Sequence, residues 1–144
     1  MSLVVVTPSG DSVPHELLLD KTPVVQEKEP NDGFDSAQAV SLGQVIQGRI
    51  DRAQDVDVYA FEGKAGQKVV LEVHAARYGS ALDSFLSLHD KDGQVLASND
   101  DIAGTVDSRI EATLPTAGKY FVTVIDAHDS GGALHSYRLS LRAK

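Results

Sequence analysis

The stretch Val56-Asp57-Val58-Tyr59-Ala60-Phe61, the turn Gly63-Lys64-Ala65-Gly66 and the run Lys68-Val69-Val70-Leu71-Glu72-Val73-His74-Ala75 decide the fold. Apolar and polar side chains alternate through both runs, the period of a strand with one face buried. The intervening glycines tolerate the positive φ that a tight turn needs. Working outward, the same texture recurs in Val45–Ile50, Phe85–His89, Gln94–Ser98, Arg109–Leu114, Tyr120–Ile125 and Tyr137–Leu141. Turn chemistry at Asp92-Gly93, Ala117-Gly118 and Ser130-Gly131-Gly132 separates them. Short strands at this spacing predict an all-β fold, a jelly-roll β-sandwich of about eight antiparallel strands with an extended N-terminal connector. The inward set is Tyr59, Phe61, Val69, Leu71, Val73, Leu86, Leu88, Ile110, Leu114, Tyr120, Val122, Val124, Tyr137, Leu139 and Leu141. Asp35–Val40 is expected to form one helical turn capped by Asp35.

Residues 1–26 read differently, mixing Pro8, Pro14 and Pro23 with the short apolar runs Val4–Val6, Leu17–Leu19 and Val24-Val25. They are expected to be a connector and the trailing strand of an upstream module, leaving 27–144 as the sandwich domain. The longest early apolar run, Leu3–Val6, is too short for a signal peptide core or a membrane span, so no membrane insertion is expected. The chain reads as a piece of a longer polypeptide.

The 144 residues carry 13 basic and 21 acidic side chains, a formal charge of −8. That balance excludes nucleic acid as a partner, because such binding needs clustered Lys and Arg. With no cysteine there is no disulfide framework, thiolate metal site or cysteine nucleophile. His15, His74, His89, His128 and His135 are scattered without zinc-protease spacing, and no Gly-x-Ser-x-Gly elbow or phosphate-cradling loop is present. Asp55 and Asp57 lie on one strand face and could not flank a glycosidic bond. The reading is therefore not an enzyme.

One pattern does carry chemistry. In an extended chain Glu27, Glu29 and Asn31 share a face, with Asp32 just beyond. Asp55 and Asp57 share a face where a strand opens. If the segments meet, four or five oxygens converge, a shell suited to calcium, whereas zinc or copper would want histidine or cysteine. Solvated carboxylates at a junction are the plainer alternative on spacing alone. A second cation cage would draw on Asn99, Asp101 and Asp107. Asp90-Lys91-Asp92-Gly93 lacks the closing glutamate of a calcium loop and reads as a hairpin turn.

The ordered series Glu27-x-Glu29-Pro30-Asn31-Asp32, Gly48, Asp55-Val56-Asp57-Val58-Tyr59-Ala60-Phe61, Ala65-Gly66-Gln67, Leu82-Asp83, Leu88-His89-Asp90-x-Asp92-Gly93, Asn99-Asp100-Asp101 and Gly118-Lys119-Tyr120-Phe121-Val122 resembles the bacterial pre-peptidase C-terminal domain family. Relatives include the collagen-binding domains of clostridial collagenases. The resemblance spans Glu27 to Leu141 and implies a jelly-roll sandwich. It implies a non-catalytic accessory domain of a secreted, cell-surface or periplasmic multidomain protein, such as a protease, aiding secretion, stability or adhesion. It implies calcium held by Glu27, Glu29, Asn31, Asp32 and Asp57, with carbonyls near Gly48 completing the shell and Asp55 a further ligand, since the relatives' acidic residue aligns with Gln54 or, slipped by one, with Asp55. The expected partners are upstream domains of the same polypeptide. The alternative is a module that binds extracellular matrix or polysaccharide through a sheet face, for which Tyr78, Phe85 and Phe121 are the available rings.

Overall fold

The computed structural model describes residues 2–16 and 21–144, so the run Leu17–Leu19 lies outside the described residues. The N-terminal arm holds β1 (Ser2–Leu3), β2 (Val6–Thr7), β3 (Gly10–Asp11) and β4 (His15–Glu16), with β1 paired to β4 and β2 to β3. The body follows as β5 (Val24–Gln26), β6 (Gln38–Ala39), β7 (Val45–Arg49), β8 (Asp57–Gly63), β9 (Lys68–His74), β10 (Ser84–His89), β11 (Val95–Asn99), β12 (Arg109–Thr113), β13 (Gly118–Asp126) and β14 (Ser136–Ala143). A single 3-10 turn at Ala76–Tyr78 is the one helical element among the described residues.

Two five-stranded sheets face each other, ordered β11-β10-β13-β8-β6 and β12-β9-β14-β7-β5. The eight long strands, β7 to β14, pair antiparallel, as their alternation predicts. Each sheet also gains a short parallel edge strand, β5 on β7 and β6 on β8. Two or three residues are too few to show a period, so these edges are invisible in the sequence. The expected helical turn at Asp35–Val40 is instead a hydrogen-bonded turn, closed by the Ser36 N–H on the Gly33 carbonyl at 3.1 Å, running into β6.

Every residue of the expected inward set lies in the core between the sheets, joined by Ile46, Ile50, Ala75 and Leu82. Their burial supplies the main favourable term for the fold, roughly 1.5–3 kcal/mol per large side chain. At Asp90–Gly93 the expected hairpin turn joins β10 to β11, the Asp90 carboxylate accepting the N–H groups of Asp92 and Gln94, both at 2.9 Å.

Between its two edge strands the leader crosses one open end of the sandwich. The Glu27 N–H bonds the Gln47 carbonyl on β7 at 3.0 Å, and the Asn31 carbonyl accepts the Val58 N–H of β8 at 2.9 Å. Gln38 ties the crossing down, accepting from the Lys28 N–H at 2.7 Å and donating to the Gln26 carbonyl at 2.9 Å. One segment thus bridges both sheets, and it is the segment that carries the oxygen-rich residues.

Candidate metal site at the leader junction

Glu27, Glu29 and Asp57 present carboxylate oxygens within 4.8 Å of one another, and Glu29, Asp32 and Asp55 do the same. Glu29 is common to both groups. All five carboxylates expected at the junction therefore meet there, and Asn31, fully buried, sits among them. Gln54 is exposed with φ 62°, and it is Asp55, 2% exposed, that turns inward.

Local architecture explains these positions. On β8 the period of two puts Asp57, Tyr59 and Phe61 on the inward face, so Asp57 enters the end of the core. The loop before β8 is held by the Gln54 N–H on the Asp129 carbonyl at 3.1 Å and by the Gly132 N–H on the Ile50 carbonyl at 2.8 Å. Gly131 packs directly on that loop, where a Cβ would stand 2.1 Å from the Arg52 carbonyl oxygen.

The partners of each oxygen separate filled valences from empty ones. Glu27 is nearly saturated: it accepts the Arg49 N–H at 2.8 Å, the Tyr59 hydroxyl at 2.8 Å, the Tyr137 hydroxyl at 3.3 Å and the Asn31 amide at 3.3 Å. Asp57 Oδ2 accepts the Tyr137 hydroxyl at 2.6 Å, and Asp55 Oδ2 the Asp51 N–H at 2.7 Å. The other oxygens, Oδ1 of Asn31, Asp55 and Asp57, are buried without a hydrogen-bond partner. Arg52 Nη2 lies 3.3 Å from Asp55 Oδ1, an ion pair without hydrogen-bond geometry, and it also pairs with Asp32 at 3.2 Å. Each buried acceptor left unpaired costs about 1–3 kcal/mol, and Asn31 Oδ1 and Asp57 Oδ1 have neither a hydrogen bond nor an ion pair.

Electrostatics records the same crowding. Burial first, and the neighbouring Glu27 carboxylate second, push Asp57 up to about 9. Burial also raises Glu29, with Asp55, Asp32 and Glu27 adding to the shift. Burial lifts Tyr59 and Tyr137 well above the ordinary tyrosine range, so both hydroxyls stay protonated donors. The donor set is oxygen only, which suits a hard cation such as calcium. The orphaned Oδ1 atoms are the direct sign that the residues present fit one.

The tyrosines are the part that sequence reasoning assigned to the core alone. The available signal was Asp57 at an inward position two residues before Tyr59, since a carboxylate there needs a donor. Gly48, expected to lend a carbonyl, has a different visible role. A Cβ at Gly48 would stand 2.6 Å from the Tyr137 hydroxyl oxygen and 3.0 Å from that of Tyr59, so its absence admits both rings.

The second expected cluster does not assemble in the same way. Asp107 is fully buried, but its carboxylate accepts the N–H groups of Ala75 at 3.0 Å and Ala76 at 2.7 Å and pairs with Arg77. The Asn99 side chain bonds the Asp101 carbonyl and the Arg109 N–H. The three rings available for a sheet-face platform also fail to form a row. Tyr78 stands beside His74 of β9, in the sheet opposite Phe85 and Phe121, with ring centroids 6.3 Å apart. Phe121 is 7% exposed beneath Phe34.

A two-sheet sandwich whose leader crosses one end, with five carboxylates gathered at the crossing, defines the class: an all-β sandwich domain. The family model of the bacterial pre-peptidase C-terminal domain matches residues 55–126, half the chain. The protein belongs to that family. A probable subtilase-type serine protease of Deinococcus radiodurans is 42% identical over 103 residues, covering 69% of this chain and 14% of that protein. The chain thus spans about a seventh of that relative's length. The pre-peptidase C-terminal domain of a Bacillus anthracis collagenase shares the fold with TM-score 0.60 at 18% identity, covering 81% of this chain and all of that one. PliG of Aeromonas hydrophila, a periplasmic inhibitor of g-type lysozyme, shares it with TM-score 0.55 at 20% identity, covering 88% of this chain and all of that one. No helix among the described residues is long and apolar enough to cross a membrane.

Proposed function

We propose that this domain is a non-catalytic accessory module of a larger secreted protein, a protease on the pattern of its Deinococcus relative, and that calcium locks its leader across the end of the sandwich. The observation that carries this reading is the set of three buried Oδ1 atoms without a hydrogen bond, two of them (Asn31 and Asp57) without an ion pair either, at a five-carboxylate cluster. A divalent cation would accept those lone pairs and offset the like-charge repulsion together. Glu27, Glu29, Asn31, Asp32, Asp55 and Asp57 would hold it, and the ion would supply charge neutralisation and cross-linking rather than reaction chemistry. The Tyr59 and Tyr137 hydroxyls orient Glu27 and Asp57 from behind, as outer-shell donors do at metal sites.

The mechanical consequence follows from the crossing. Glu27 and Glu29 belong to the leader, whereas Asp55 and Asp57 belong to the body. An ion between them resists peeling of the leader and so sets the direction in which upstream domains emerge. Binding only the folded state at a hundredfold excess over Kd contributes ~2.7 kcal/mol, which for a domain of this size is a melting shift on the order of 10 °C. Thermal melts in millimolar calcium and in chelator test this. A shift of that size supports the reading, and coincident melts refute it.

A further inference from the structure

The chain carries a formal charge of −8, yet the outer face of the β12-β9-β14-β7-β5 sheet collects its arginines. Inward positions on β9 and β14 are Val69, Leu71 and Val73, and Tyr137, Leu139 and Leu141, so Glu72, His74, Arg138, Ser140 and Arg142 face out. Three guanidinium groups share the single Glu72 carboxylate: Arg77 at 3.0 Å, Arg142 at 3.1 Å and Arg109 at 3.7 Å. Arg138 forms no ion pair among the described residues. Arg77 also pairs with Asp107 and Arg109 with Glu111, so among the described residues Arg138 is the guanidinium of this face left without a carboxylate.

The same face is concave. Arg138 and Arg142 flank Ser140 along β14, and Ser140 is directly opposite Glu72 on β9 and Val45 on β7. The small serine between longer neighbours leaves a groove of about 450 Å³, lined by these residues and by His74, the register partner of Arg138. Nε of Arg138 and Nδ1 of His74 are both buried there without a hydrogen-bond partner.

We propose that this groove is a carboxylate-binding site, taking an aspartate or glutamate side chain, or a chain terminus, from an extended polypeptide. One uncompensated guanidinium matches one negative charge, and its planar fork suits a carboxylate held by two parallel bonds. Glu72 in the wall and the overall charge of −8 disfavour a densely charged polyanion. Among the described residues no Tyr, Phe or Trp lines the groove, which leaves a uronic acid sugar without the broad stacking platform such rings supply. This site is separate from the leader junction, and its test requires no metal.

The test is NMR titration of the 15N-labelled chain, following the Arg138 side-chain N–H and the His74 ring. Acetyl-Gly-Asp-Gly-amide and acetyl-Gly-Gly-Gly with a free C-terminus separate the two carboxylate sources, and acetyl-Gly-Asn-Gly-amide is the uncharged control. Saturable shifts at Arg138, His74 and Ser140 with either acid peptide and not the control are expected. Arg138→Gln should weaken binding by at least about tenfold, since the two-bond fork is lost, while Lys119→Gln on the other sheet leaves it unchanged. Because Arg138 makes no ion pair, that variant keeps the folded spectrum. Equal shifts from the asparagine peptide, equal loss in both variants, or response only to a heparin or polygalacturonate fragment would overturn the proposal.

Discussion

Buried aspartates occur in two regions of this molecule, and they are treated in opposite ways. Asp107 and Asp126 have every oxygen occupied. Asp107 takes two backbone N–H groups and Arg77, and Asp126 takes the N–H groups of Asp83 at 3.1 Å, His128 at 3.0 Å and Ser130 at 2.9 Å. At the leader junction Asp55 and Asp57 are as deeply buried, yet each keeps an oxygen with no hydrogen bond. The first pair are fasteners complete in the polypeptide. The second pair each leave one acceptor without a hydrogen bond. Acidic density in the sequence does not separate the two, whereas the destination of each lone pair does.

Changes at the finished fasteners should produce the largest effect and ignore metal. Asp107→Ala leaves Arg77 facing a vacated buried site and is expected to cost about 3–5 kcal/mol. Urea unfolding should give the same loss in calcium and in chelator; a loss that appears only in calcium would erase the distinction between the regions.

Asp57→Asn should behave in reverse. It removes a carboxyl whose ionisation folding must suppress in the absence of metal, so in chelator the variant melts at or above the parent temperature, while the calcium-induced shift, on the order of 10 °C in the parent, collapses. Scanning calorimetry with and without chelator measures both halves. A parent-sized calcium shift in the variant would remove Asp57 from the ligand set.

Gly48→Ala drives a methyl into the tyrosine hydroxyls and is expected to cost about 1–3 kcal/mol, as overpacking does. Because Tyr137 would withdraw from Asp57, calcium affinity should fall as well. Titration calorimetry on the folded variant would then give a weaker Kd, and an unchanged Kd would confine the tyrosines to core packing.

A further effect is a pH slope. Asp57 titrates near 9 when folded and within the ordinary carboxylate range when unfolded, so its contribution is fully present at low pH. In chelator that contribution is lost progressively as pH rises from about 4 towards 9. Parent and Asp57→Asn melts should therefore converge at acid pH and separate at alkaline pH, and parallel curves would contradict the assignment.

Strand order and core were legible because the eight long strands each bury one face, and alternate burial writes itself into residue order. The two parallel edges were not, since Val24–Gln26 and Gln38–Ala39 are placed by neighbours rather than by any period of their own. Asp35–Val40 looked helical for the same reason, because Ala and Gln tolerate a helix and only docking on β8 decides otherwise. At the junction, alternation correctly brought Glu27 and Glu29 side by side. It could not bring in Tyr137, which lies 110 positions from Glu27 and arrives only through the pairing of β14 with β7. Nor could it distinguish Asp107 from Asp57, since Asp107 is saturated by the backbone N–H groups of Ala75 and Ala76, which any sequence has, and by Arg77, which lies 30 positions away.

The central claim is that the vacant oxygens at the leader junction belong to a metal ion. A crystal grown in excess calcium, with anomalous diffraction data, tests this most directly. The account predicts an anomalous peak 2.3–2.6 Å from Asp57 Oδ1 or Asp55 Oδ1, with Glu29 among its ligands. A clean map, with Glu29 turned into solvent and Asp57 sharing a proton with Glu27, would contradict it.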